Sequence, residues 1–200
     1  MKKILMLILL LVSNVTYAEN EKHPLLIKGI GLGEVKLPCK PRPVKFESSY
    51  DGHIEKILLK CSVTENKDSI EITFSSDGKK IVRVLRQQYL TAPDPEPVDV
   101  MNAAIKFYGN PNESKANTFA IYGDAHTCNK CVTDMKTNDF GKGLLVCISS
   151  GWNIGRRTFH NDDSGVVYEL IDMPAFLKAN TDGEKTAEIH NKKVLSEQKF

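Results

Sequence analysis

The run AHTCNKC at residues 125–131 concentrates the reactive side chains of this sequence. His126, Cys128 and Cys131 stand within six positions, and a further thiol, Cys147, follows inside the apolar stretch LLVCIS. Three chemistries use such a set. Zinc takes thiolates and imidazole in a tetrahedron, and His126, Cys128, Cys131 and Cys147 make a Cys3His ligand set. A C-x-x-C pair at a helix start lowers the pKa of one thiol and serves thiol–disulfide exchange. Alternatively, one of the pair, taken as Cys131, bridges to Cys147 and ties a polar loop to a strand. The redox reading lacks its context, because the stretch VTDMKTNDFGKG after Cys131 is polar where a thioredoxin-like site needs an amphipathic helix.

Other groups with catalytic potential are sparser. His160 with Asp162 or Asp163 supplies a base and a carboxylate for a hydrolase, although Asp162-Asp163-Ser164-Gly165 also reads as a plain turn between strands. Arg156 and Arg157 suit a phosphate or carboxylate, but acidic residues follow within a few positions and favour a solvated loop. The GIGLG at residues 29–33 lacks both the strand-to-helix setting and the Lys-Ser/Thr ending of a phosphate loop. No G-x-S-x-G elbow and no H-E-x-x-H occurs. Trp152 and Phe159 are candidate recognition residues, and Tyr168 is assigned to the core.

The elements that must carry these groups are mostly strands. SIEITFS at residues 69–75 alternates cleanly, Asp77-Gly78 supplies a tight turn, and IVRVLRQQYL follows, which makes a hairpin. Residues 118–124, 143–149 and 165–171 read as further strands, and residues 54–63 are apolar enough for a strand although their spacing also fits a short helix. APDPEP ends the hairpin, since proline cannot donate to a ladder. A helix then starts at Pro97, with Val98, Met101, Ala104, Ile105 and Tyr108 at helical spacing and Gly109 and Pro111 closing it. Asp172 before Met173-Pro174 marks a second helix start that takes in residues 175–178. The expected fold class is α+β, a mainly antiparallel sheet with one central helix and a C-terminal helix. Its domain organisation is a signal peptide at 1–18, one α+β domain at 19–180, and a charged tail or surface helix at 181–200.

Residues 1–18, MKKILMLILLLVSNVTYA, combine two lysines, a short apolar core and a small residue before a charged run, the pattern of a cleavable secretory signal. The apolar core is shorter than the roughly 20 residues a membrane helix needs, so the chain is not expected to span a membrane after cleavage. A periplasmic or secreted location follows. Over 200 residues there are 27 Lys and Arg against 25 Asp and Glu, and Lys2 and Lys3 account for the whole surplus. A formally neutral exported chain has no basic field for nucleic acid. Export also makes disulfides the default for the five cysteines. Cys39 and Cys61 stand apart from the other three, and their bridge would close a loop worth about 3 kcal/mol. Cys131–Cys147 is the second expected bridge. No cofactor is expected on this reading, with zinc as the alternative.

Four stretches, IKGIGLGEV, VRVLRQQY, KFYGNP and FAIYGD, give a layout that resembles small uncharacterised exported (periplasmic) bacterial proteins. The glycine-marked opening and the helix closing in Tyr-Gly-x-Pro are similar in outline to small envelope domains of outer-membrane assembly lipoproteins. The likeness spans residues 27–171, lacks the lipidation cysteine, and carries over no functional residue. It implies an envelope binding role. The leading functional expectation is an exported, non-catalytic protein that binds another protein or an envelope component, as an inhibitor, immunity factor or assembly accessory. A metal- or thiol-dependent module on the HTCNKC loop and a small secreted hydrolase are the alternatives.

Overall fold

A computed structural model describes residues 25–33, 39–90, 95–115, 119–125, 140–150, 153–154, 157–158 and 164–197. Its strands are β1 (Arg42–Glu47), β2 (Ile54–Glu65), β3 (Asp68–Phe74), β4 (Ile81–Leu90), β5 (Glu113–Lys115), β6 (Phe119–Ala125), β7 (Phe140–Ser150), the short pair β8 (Asn153–Ile154) and β9 (Arg157–Thr158), and β10 (Ser164–Asp172). Two helices, α1 (Pro97–Tyr108) and α2 (Met173–Glu197), complete the described residues. Eight strands form one sheet in the order β1-β2-β3-β4-β10-β7-β6-β5, and every pairing in it is antiparallel. The class is therefore α+β.

Register explains the core. Because successive side chains in a strand alternate between faces, one row across the sheet reads Cys61, Ile72, Val84, Leu170, Leu144 and Tyr122. The next row on the same face reads Val63, Ile70, Arg86, Tyr168, Val146 and Ala120. The β10, β7 and β6 members of both rows lie under α1, whose Met101 and Ala104 are buried in the same core while Ile105 and Tyr108 pack alongside. This is the stripe that the spacing of residues 98–108 predicts. Gly109 closes α1 by donating its N–H to the Ile105 carbonyl.

The opposite face carries rows that mix charge with apolar residues: Lys60, Thr73 and Arg83, then Glu71, Leu85, Glu169, Leu145 and Ile121. Helix α2 lies over this face. Asp172 caps it by accepting a hydrogen bond from the Ala175 N–H at 3.1 Å, and Met173, Ala179, Gly183 and Ala187 form its buried stripe. The helix expected over 175–178 in fact continues without a break across residue 180 to Glu197. Of the two forms open to residues 181–200, the described part is helix. It is held because the stripe of small residues lets the helix approach β2 closely. Gly183 is the contact residue of that stripe: a Cβ on it would stand 2.6 Å from the Ile57 carbonyl oxygen.

β1 is a strand that alternation does not reveal. RPVKFE is exposed along nearly its whole length and holds the sheet edge through its ladder to β2. Pro43 and Lys45 suit an edge, where a missing donor and a charge discourage further pairing. Cys39, just before β1, is bridged to Cys61 of β2 across a Cα separation of 6.0 Å, as the cysteine spacing predicts.

Candidate functional site

Arg86 breaks the pattern of the α1 face. A guanidinium between Ile70 and Tyr168 in an apolar row costs several kcal/mol unless it is paired. Asp68, the first residue of β3, supplies the pairing. Arg86 donates from Nε at 2.9 Å and from Nη2 at 2.8 Å to the two carboxylate oxygens, and its plane lies 4.9 Å from the Tyr168 ring centre. A second cation, Lys28, reaches the same carboxylate at 2.7 Å.

Lys28 arrives there through a tight turn. Ile27 and Ile30 exchange both backbone hydrogen bonds at 2.9 Å, leaving Lys28 and Gly29 as a two-residue loop with φ of 47° and 77°. Positive φ at both positions is the geometry that favours glycine, and a lysine there costs about 1 kcal/mol. That cost is borne where Ile27 is buried in the core and the lysine head meets Asp68. The glycine-marked opening thus acts as a structural clasp, and Gly33 extends it through paired hydrogen bonds to Ile81.

Between the Lys28–Gly29 turn and α1 lies a cleft of about 470 Å³. Arg86 and Tyr168 form its floor, Ala104, Phe107 and Tyr108 one wall, and Leu26, Lys28 and Gly29 the other. Tyr108 closes one side by donating its hydroxyl to the Leu26 carbonyl at 2.6 Å, and Phe107 packs edge-on against it. Among the described residues, charge in the cleft is unbalanced, with two cations on one carboxylate. Burial works against ionisation of Asp68, but the hydrogen bonds and charges of Arg86 and Lys28 outweigh it and hold the carboxyl below its ordinary value. Burial lowers the affinity of Arg86 for its proton, and the bonds to Asp68 more than restore it. Desolvation raises Tyr108 and Tyr168, so both phenols stay protonated. Tyr122, behind them in the core, is pushed by burial up to about 12.

A second charged array lies under α2. Lys60 meets Glu71 at 2.8 Å, Arg83 meets Glu169 at 2.6 Å and Glu71 at 3.7 Å, and Phe176 of α2 covers the Arg83 guanidinium at 5.3 Å. The array is paired within itself and covered by the helix, which makes it a structural seam. A smaller space of about 140 Å³ between α2 and β2 is lined mainly by packing residues such as Leu58, Phe74 and Ala179.

The residues singled out by sequence fall elsewhere. His126, Cys128 and Cys131 lie outside the described residues, as do Trp152, Arg156, Phe159, His160, Asp162 and Asp163. Cys147 sits on β7, half-buried and unbridged among the described residues, and its expected partner Cys131 lies outside them. Among the described residues, no group of three or more His, Cys, Asp or Glu side chains is placed to hold a metal ion, and no helix is long and apolar enough to cross a membrane. Tyr168 is in the core, as assigned, and also floors the cleft. Sequence reasoning missed Arg86, Asp68 and Lys28. The available signal was Arg86 itself, a charge at the same alternating positions as Val82, Val84 and Leu90 in IVRVLRQQYL. No protein-family model matches this chain, and no curated protein or solved structure matches it either.

Proposed function

We propose that the chain is an exported, non-catalytic binding protein of the inhibitor, immunity or assembly-accessory kind. Its partner, another protein or an envelope component, engages the cleft between α1 and the Lys28–Gly29 turn. The observation that carries this reading is the cleft's make-up: an unbalanced pair of cations on one carboxylate, walled by Phe107, Tyr108 and Tyr168. Those groups recognise, and they are poorly suited to catalysis. The carboxylate is engaged by both cations, and the phenols are held protonated. Apolar walls with a few convergent polar groups are the usual form of a binding site. Export rests on the signal-like residues 1–18, and the Cys39–Cys61 bridge agrees with an oxidising compartment.

Affinity capture from the producing cell's envelope fraction tests the reading, using wild type beside Phe107→Ala and Lys28→Asn. Both substitutions are at exposed or turn positions that keep the core intact. A partner retained by wild type and lost by both variants is expected, and equal recovery by all three would overturn the assignment of the cleft.

A further inference from the structure

We infer that the ligand group taken by the cleft is a monoanionic carboxylate carried on a compact apolar body, and that Lys28 leaves Asp68 to bind it. The inference rests on the cleft being the binding site. Charge sets the sign. Among the described residues, Lys28 and Arg86 together bring two positive charges against the single negative charge of Asp68, so one further anion neutralises this group, whereas a neutral or cationic group gains nothing from it. A carboxylate matches that surplus of one. A phosphate monoester, at about −1.5 to −2, overshoots it.

The two cations are held differently, and that divides their roles. Arg86 is fixed: its side chain is only 17% exposed, is bonded to both oxygens of Asp68, and rests on Tyr168. Lys28 is 43% exposed, and among the described residues it pairs with Asp68. Its four-carbon stem allows the ammonium to swing toward the cleft while Arg86 keeps Asp68 paired, so no buried carboxylate is stranded. The body of the ligand then meets Phe107, Tyr108 and the small Ala104, which leaves room where a larger side chain would fill the cleft. A volume of about 470 Å³ is that of a small-molecule site, enough for one aromatic or branched aliphatic group with its carboxylate. A free carboxylic acid and the C-terminal residue of a peptide present the same chemistry.

Isothermal titration calorimetry of the exported chain separates the possibilities. The probes are 3-phenylpropionate, its amide, the peptide acetyl-Gly-Gly-Phe with a free C-terminus, and the same peptide amidated. At least one of the acids is expected to bind roughly tenfold or more tighter than its amide, the scale of one charge-assisted hydrogen bond. The tighter of the two acids identifies the source. Lys28→Asn, which tolerates the left-handed turn, is expected to remove that preference, and raised salt is expected to weaken only the acids. Acids and amides binding alike, or an acid preference that survives in Lys28→Asn, would overturn the inference while leaving the cleft as a site. No binding by any probe would overturn it too. In that case, envelope capture that still depends on Phe107 preserves the cleft reading, and capture independent of Phe107 removes both.

Discussion

Gly183→Ala reverses the usual sign of a helix substitution. Alanine is the better helix former, and in an exposed helix interior the exchange stabilises by about 1 kcal/mol. At residue 183 the added Cβ would stand 2.6 Å from the Ile57 carbonyl oxygen and 2.9 Å from Leu58 Cδ2. The leucine methyl can rotate away, but the carbonyl is locked in the β2 ladder. Helix or strand must therefore move, and overpacking of this kind costs about 1–3 kcal/mol, with the upper part of that range expected against backbone. The net effect is a loss of about 1–2 kcal/mol, where propensity alone gives a gain of about 1. Urea unfolding followed by circular dichroism reads the difference, with Thr181→Ala on the exposed side of the same helix as the control. A Gly183→Ala protein as stable as wild type, or more so, would mean that α2 does not press on β2 as described.

Further expectations follow from single contacts. Asp68→Asn strips Arg86 and Lys28 of their shared charge partner, and a loss of about 2–3 kcal/mol is expected, below the full cost of breaking a buried pair because the side chains keep some solvent contact. Because the native pKa of Asp68 lies below the ordinary value of 3.8, the unfolded chain binds the proton more readily. The stability contributed by the ionised carboxylate is therefore complete above that value and is lost as pH falls through the native pKa. The gap between wild type and Asp68→Asn should be full at neutral pH and close in acid, and a gap that widens in acid would refute the pairing. Cys39→Ser should cost about 3 kcal/mol in urea unfolding, the scale expected for a loop of this length, and an unchanged midpoint would contradict a stabilising bridge. Peptide mapping of non-reduced, alkylated protein should find Cys39 joined to Cys61, and label on either of the two would contradict the structure. Asp172→Ala should cost about 1 kcal/mol by uncapping α2, read by thermal unfolding, and no change would mean that the cap contributes nothing.

What could be read in the sequence was local. The hairpin of β3 and β4 shows itself through alternation and Asp77-Gly78, α1 through its apolar spacing between Pro97 and Gly109, and the Cys39–Cys61 bridge through isolation from the other thiols. What escaped depends on distant partners. β1 is exposed on nearly every residue, so no burial pattern marks it, and only its ladder to β2 makes it a strand. Gly183 carries the same letter whether it breaks a helix or permits close packing, and only the position of Ile57 decides between them. Arg86, Asp68 and Lys28 come from three separate segments, and register together with the Ile27–Ile30 clasp brings them to one carboxylate. Cysteines and histidines drew notice because their chemistry is rare. A site made of arginine, lysine and tyrosine offers no such flag until an inward charge appears in an otherwise apolar row.

The central claim is that a partner sits in the cleft beside α1. Site-specific photo-crosslinking in the producing cells addresses it directly, with Phe107→p-benzoylphenylalanine at the cleft wall and Tyr50→p-benzoylphenylalanine as the control. Phe107 is 61% exposed on the cleft wall, and Tyr50 is 97% exposed in the turn between β1 and β2. A discrete adduct is predicted at residue 107, absent at residue 50 and lost when Lys28→Asn is added. No adduct at 107, or the same adduct from both positions, would contradict the account.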